Sequence, residues 1–294
     1  MADRVSKASL PEWRKAKGGS TPGVTRCGKA TFRWGERTYV MGIINVSPDS
    51  FSGDGLDSVD AAVAQAQRFI AEGVDMLDVG GESTRPNSAP ITIDEELRRV
   101  IPVLERLAGK VEVSLSVDTY KLEVARRALD AGADMLNDIW GLKKEPRLAA
   151  LAAQRGVPVV LMSNQREDPQ RHIVPAVIAD LKRAIDMALD AGVPWDNIIV
   201  DPGVGFGKTL EQNLELVRRL DELKALGRPV LLGTSRKSMI GMVLELPAEQ
   251  RLEGTAASVA IGIARGADII RVHDVREMVR VCRMSDAIIR GGRS

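Results

Sequence analysis

Short runs of apolar, β-branched residues alternate along this chain with longer stretches whose apolar positions recur every three or four residues. The short runs are VMGIINV, DMLDVG, VSLSVD, DMLNDI, PVVLMS, NIIVD, PVLLGTS and DIIRVHD. Each is bounded by turn formers, which predicts a strand buried on both faces. Amphipathic stretches such as SVDAAVAQAQRFIAEG and TIDEELRRVIPVLERLAG predict helices between them. The second opens on Thr92 with Glu95 three residues on, a capping-box start. Upstream, ATFRWGERTYV predicts a hairpin of two short strands around Gly35-Glu36. Residues 1–25 are polar, basic and rich in Gly, Ser and Thr, and are expected to form a flexible arm.

One phrase recurs: EGVDMLDV, AGADMLND and RGADIIRV. In each a glycine ends a helix, and a polar residue follows five positions later in the strand: Asp78, Asn137 and Arg271. Strands alternating with helices imply a parallel sheet. About eight such units in roughly 250 residues predict a closed (β/α)8 TIM barrel, formed by residues 26–294 as a single domain. An open doubly wound sheet is the alternative, disfavoured because no GxGxxG follows the first strand.

Charge and composition then narrow the classes. The 294 residues carry a net charge of +1 and only 3% aromatics, so neither a broad nucleic-acid surface nor base-stacking platforms are expected. Two cysteines, Cys27 and Cys282, and two histidines make a disulfide framework or a zinc site an unsuitable reading. The N-terminal stretch is charged throughout and no apolar run approaches membrane-spanning length, which points to a cytoplasmic protein without a membrane role.

The stretch DPGVGFGKT, from Asp201 to Thr209, looks at first like a phosphate-binding P-loop. The first glycine of that motif would fall at 202, where Pro202 has no N–H to offer a phosphate. What remains is an aspartate at a strand end followed by a glycine-rich loop. Every other predicted strand also ends on polar residues: Asn45, Asp78, Asp118 with Thr119, Asn137 with Asp138, Ser163 with Asn164, the SRKS segment, and Arg271 with His273 and Asp274. Barrel interiors are normally filled by branched apolar side chains, and catalytic groups come from the C-terminal strand ends. Polar groups at all of these ends predict a working pocket.

The motifs NVSPDSFSGDG, DVGGESTRP, SVDTYK, LNDIWG, DPGVGFGKT, GTSRKS and RVHD, in this order from about residue 38 onward, resemble those of the dihydropteroate synthase family. The resemblance implies condensation of a dihydropterin carrying a CH2-diphosphate with 4-aminobenzoate, with release of pyrophosphate, in folate synthesis. It implies pterin contacts at Asp118, Asn137, Asp201 and Lys237, with Phe206 and Met162 beside the ring; inward carboxylates and an amide suit a flat edge of N–H groups and ring nitrogens. It places the diphosphate at Asn45, Thr84, Arg85, Arg271 and His273, where forked guanidinium contacts suit phosphate oxygens. A magnesium ion is implied near Asn45. The aminobenzoate would meet Phe51, Pro86, Ser235 and Lys237. Lys237, Asp118, Arg271 and His273 form the catalytic set of this reading, and no covalent nucleophile is needed.

Two segments, SPDSFSGDG and STRPNSAP, are expected to close over the second substrate. The family is usually dimeric through its last helices, and VREMVRVCRMSDAIIRG has apolar spacing suited to packing, so a homodimer is expected. The chain departs from the family's usual Met-His after the fifth strand, with Ser163 following Met162. A smaller residue there predicts a looser, wetter pterin wall. Two other readings stay open: a pterin-dependent methyltransferase, which has no use for cations around a diphosphate, and a non-catalytic pterin-binding paralogue.

Overall fold

The computed structural model describes residues 23–46, 58–83 and 89–291. Two short strands, β1 (Val24–Cys27) and β2 (Ala30–Arg33), precede β3 (Tyr39–Asn45) and α1 (Val59–Ala71). Then follow β4 (Met76–Gly80), α2 (Ile93–Leu107), β5 (Ser114–Asp118), α3 (Leu122–Asp130), β6 (Met135–Asp138) and α4 (Arg147–Arg155). The second half runs through β7 (Val159–Met162), α5 (Ile173–Asp190), β8 (Ile198–Asp201), α6 (Leu210–Arg218), β9 (Leu231–Leu232) and α7 (Ser238–Leu244). It ends with α8 (Leu252–Ala264), β10 (Ile269–Val272) and α9 (Val275–Arg290).

Strands β3 to β10 pair in parallel in the order β8-β7-β6-β5-β4-β3-β10-β9, and a parallel bridge between Val200 and Val230 joins the two ends into a ring. The eight apolar runs of the sequence are these eight strands, and the (β/α)8 barrel is the fold. Alternation splits each strand. Val40, Ile44, Leu77, Val79, Leu115, Val117, Leu136, Leu161, Val200 and Ile270 face the surrounding helices in one large core. Met41, Met76, Met135, Val160, Ile199, Leu231 and Ile269 form a separate cluster that fills the barrel from inside.

The hairpin exists, but its turn is not at Gly35-Glu36. Strands β1 and β2 pair from Val24↔Arg33 to Cys27↔Ala30, so the turn is Gly28-Lys29. Gly28 has φ +56°, and a Cβ there would stand 2.3 Å from Asp134 Oδ1, so glycine is required. Tyr39 and Val40 of that segment belong instead to β3. Val24 and Thr25, grouped by composition with the arm, are strand residues, and Thr25 is buried. The hairpin stoppers the N-terminal end of the barrel: Cys27, Phe32 and Trp34, with Tyr39, pack on the interior cluster. Phe32 and Tyr39 meet edge to face at 4.9 Å, and Trp34 Nε1 donates to Thr25 Oγ1 at 2.9 Å.

Helix starts follow local chemistry. Thr92 Oγ1 accepts from the Glu95 N–H at 3.2 Å, but the Glu95 carboxylate turns to Arg98 and Arg99, so only half of the predicted box forms. A complete box forms at α6, where Thr209 accepts from Gln212 N and Gln212 Oε1 accepts from Thr209 N. Among the described residues no helix is long and apolar enough to cross a membrane.

Candidate active site

With its lower end stoppered, the barrel can open only where the strands end. The interior cluster fixes the parity, and the residue two positions past it on each strand points into the same lumen. From Met76 this gives Asp78; from Met135, Asn137; from Val160, Met162; from Ile199, Asp201; from Ile269, Arg271. On β5 the Ser114 hydroxyl donates to Cys27 O of the hairpin at 2.9 Å, and the same parity carries Asp118 to the mouth.

These side chains meet. Arg271 donates from Nε to Asp78 Oδ2 and from Nη2 to Asp118 Oδ2, both at 2.7 Å. Asn137 Nδ2 donates to the same Asp78 oxygen at 2.9 Å. Asp78 is fully buried, and Asp118, Asn137 and Asp201 nearly so. Asp201 Oδ1 accepts from Gly203 N at 2.7 Å, which ties the strand end to its loop. Lys237 reaches the same rim from the loop after β9: its ammonium donates to Val204 O and lies 4.8 Å over the Phe206 ring. Ile139, Met162 and Phe206, with Tyr120 and Trp140, make an apolar wall.

Burial drives the electrostatics. It pushes the Asp118 carboxyl above the ordinary range; the Arg271 guanidinium opposes this, and Asp78, Glu96 and Asp138 reinforce it. Asp201 is likewise raised by burial against the pull of Lys237. Lys237 is lowered to about 8, by burial first, with Arg271 and Arg166 adding repulsion and Asp201 and Asp118 opposing it. Burial would lower Arg271, but Asp78 and Asp118 overcome it and hold its pKa above the ordinary value.

The remaining sequence-derived residues divide. His273 sits half-buried beyond Arg271, with Nδ1 3.0 Å from Ser235 Oγ. Ser235 is itself buried, and its hydroxyl also accepts from His273 N at 3.2 Å. Asn45 lies half-buried at the end of β3, in register with Gly80. Phe51, Thr84, Arg85 and Pro86 lie outside the described residues. Ser163 does not face the lumen. One position beyond inward Met162, it points outward, donates to Asp180 Oδ2 at 2.8 Å and accepts from Gln165 Nε2 at 3.0 Å. The expected looser pterin wall therefore does not follow from Ser163, and counting strand parity would have shown it.

Asp78 was legible only as a strand-end residue without a role. It is the buried anchor of both Arg271 and Asn137, and its Oδ1 has no hydrogen-bond partner. Arg236 is a second residue of this kind. It adopts φ +56° and forks onto Asp274 through Nε and Nη2, linking the loops that carry Lys237 and His273.

A magnesium ion would find a limited donor set. Among the described residues no group of three or more His, Cys, Asp or Glu could hold a metal. Asn45 can offer one hard amide oxygen, which fits magnesium held mainly by substrate phosphates and water rather than by a protein cage.

Comparison with known proteins identifies the family. Residues 41–273 match the family described as "Pterin binding enzyme". The dihydropteroate synthase of Clostridium beijerinckii is 48% identical over 90% of this chain and 99% of its own. That of Bacillus subtilis is 49% identical, over 87% of this chain and 90% of its own. Among solved structures, a Clostridium difficile dihydropteroate synthase crystallised in the presence of pteroic acid superposes with a TM-score of 0.83 at 48% identity, covering 88% of this chain and 99% of that one. The Yersinia pestis enzyme in a sulfonamide drug complex gives 0.86 at 38% identity, covering 92% and 100%.

Proposed function

We propose that this chain, which belongs to the pterin binding enzyme family, works as a dihydropteroate synthase, joining 6-hydroxymethyl-7,8-dihydropterin diphosphate to 4-aminobenzoate with loss of pyrophosphate. The observation that carries the reading is the convergence of Asp78, Asp118, Asn137, Asp201, Arg271 and Lys237 at one rim. Asp118, Asn137 and Asp201 supply acceptors for the N–H edge of a pterin, beside the wall of Phe206 and Met162. Lys237 can direct its ammonium to the ring carbonyl and neighbouring ring nitrogen. Arg271 and His273, with Thr84 and Arg85, would take the diphosphate; Phe51, Pro86 and Ser235 would take the aminobenzoate.

The C–O bond to the diphosphate breaks first in this reading, and the pterin ring spreads the resulting positive charge. The arylamine nitrogen then attacks the CH2 carbon and gives up one of its two N–H protons. The site's work is electrostatic: cations meet the charge that develops on the departing pyrophosphate. Asn45 would offer an oxygen to magnesium, which when bound shields the diphosphate charge. Residues 26–294 would act as one catalytic domain.

The test is direct. Purified protein given both substrates and magnesium is expected to release dihydropteroate and pyrophosphate. Tight pterin binding without product would mark a non-catalytic paralogue, and methyl transfer from a methylated folate a methyltransferase. Chelating the magnesium should lower the rate by about tenfold or more; an unchanged rate would remove the ion from the mechanism.

Pterin binding should also depend on pH at both ends. Asp118 offers two charged acceptor oxygens only when ionised, and its raised pKa brings their loss on at higher pH than the roughly 4 of an ordinary aspartate. Lys237 donates as a cation until pH passes about 8. Affinity should therefore peak between the two limbs. Titrations that hold affinity level from pH 5 to pH 10 would contradict both shifts.

A homodimer fits the surface as well. Met284 is 63% exposed and Ile288 71% exposed on α9, and Ile261 is 50% exposed on α8, which packs on α9. Sedimentation should report a dimer, and Ile288→Glu a monomer; a wild-type monomer would refute it.

A further inference from the structure

The P-loop look-alike leaves a lysine unexplained. Lys208 does not point to solvent or into the mouth of the barrel. Its ammonium folds back under its own loop and donates to three backbone carbonyls: Gly203 O at 2.8 Å, Ser163 O at 2.9 Å and Phe206 O at 3.1 Å. A lysine ammonium has three N–H donors and here all three are used. Two of the acceptors belong to the loop after β8, and the third to the end of β7.

The loop is built to receive this contact. Gly203, Gly205 and Gly207 have φ of +68°, +83° and +71°. Left-handed glycines turn successive carbonyls in different directions. Gly203 and Phe206 present theirs to Lys208, and Val204 presents its own to Lys237. A Cβ at Gly203 would stand 2.1 Å from Ser163 O and one at Gly205 3.1 Å from Lys237 Cδ, so each glycine lets a neighbour close in. Phe206 N donates to Gly203 O at 3.1 Å and Gln165 N to Phe206 O at 3.2 Å, completing the strap. Asn213 Oδ1 secures Gly205 N at 2.7 Å from the far side.

We infer that Lys208 is a positioning residue for the pterin subsite: by clamping three carbonyls it fixes the β8 loop, and through Val204 O and the Phe206 ring it sets where the Lys237 ammonium stands. The inference rests on the reading of this rim as a pterin site. It separates Lys208, which touches no substrate, from Lys237, which would. Burial lowers Lys208 to about 7, with Asp201 and Asp180 opposing and Lys237 and Lys143 adding repulsion. The Lys237 charge is therefore felt at Lys208 across the strap.

The experiment is ligand binding on the purified protein, using dihydropterin diphosphate and 4-aminobenzoate separately, followed by kinetics with both. Lys208→Met keeps the length of the side chain and removes the donors. The expected result is a loss of about tenfold or more in pterin affinity and a matching rise in its KM. The aminobenzoate KM, measured at saturating pterin, should change by less than about threefold.

Lys208→Arg should not restore affinity, because a planar fork cannot serve three converging carbonyls. Lys208→Cys alkylated with bromoethylamine restores an ammonium at nearly the same reach, and should. Cys27 and Cys282 are buried, so the new thiol is the one modified. Should Lys208→Met fail to fold, Lys208→Gln, which retains an amide donor, carries the same comparison.

Unchanged pterin affinity, or equal losses for both ligands, would overturn the inference and leave Lys208 a general stabiliser. A wild-type protein that binds no pterin would instead overturn the reading of the site.

Discussion

Replacing Lys237 by alanine is expected to lower kcat/KM for the dihydropterin diphosphate by about a hundred- to a thousandfold, with little change in the fold. The size follows from the geometry. The ammonium sits in a buried rim beside Asp201, above the Phe206 ring, and donates to Val204 O. Removing one preorganised donor from such a water-poor site commonly costs two to three powers of ten in rate, or roughly 2.7–4 kcal/mol. The fold should survive because Asp201 keeps its bond from Gly203 N at 2.7 Å, and Lys208 still holds the loop through three carbonyls. The unsatisfied Val204 carbonyl and the less compensated Asp201 should together cost about 1–3 kcal/mol of stability. Lys237→Arg should recover little, since the side chain passes within contact of Gly205 and a fork does not fit the same path. Steady-state kinetics beside a thermal melt decides it. A variant within tenfold of wild type would mean that Lys237 supports the loop and does not act on substrate.

The fold was largely legible because buried parallel strands leave an unambiguous mark: short apolar runs, each ending on a polar residue that packing does not require. All eight barrel strands, from β3 to β10, lie where those runs are. The hairpin was legible in kind and misplaced in register. Gly35 also has a positive φ, of +90°, but it links β2 to β3, whereas Gly28 makes the turn. Two glycines in one neighbourhood cannot be ranked without knowing that Asp134 crowds one of them.

At the site, strand ends announced Asp118, Asn137, Asp201 and Arg271, and the barrel brings them together with Lys237. What sequence spacing did not give was the hierarchy beneath them. Asp78 holds two neighbours at once, a fact of three strands rather than of one. Ser163 reads as a pocket residue in the sequence, but parity turns it outward. Lys208 reads as part of a failed phosphate motif, but its acceptors are carbonyls from two loops, and no pattern of side chains encodes where carbonyls will converge. The assignments of Phe51, Thr84, Arg85 and Pro86 fall in residues outside those described.

Arg271→Met should show the cost of the same rim in stability and not only in rate. The guanidinium is the shared cation of two buried carboxylates, at 2.7 Å from each. Methionine preserves bulk, so the change isolates charge and hydrogen bonds. Breaking a buried pair by deleting one partner costs about 3–5 kcal/mol, because the remaining charge is left uncompensated. For a chain of this size that is a fall in Tm on the order of 10 °C. The sign of the pH dependence distinguishes this from a packing defect. Without Arg271, burial and the neighbouring Asp78 hold Asp118 still further above the roughly 4 of an unfolded aspartate. Below that value both states are protonated and the penalty is absent. It grows as pH rises towards the elevated folded pKa, because the unfolded chain then releases protons that the folded one retains. The deficit relative to wild type should thus be larger at pH 8 than at pH 5, and Asp78→Asn in the same background should return part of it. Melting curves that show the same deficit at both values, or a larger one at pH 5, would place the loss in packing and deny Arg271 its part as the common counter-ion of the pocket.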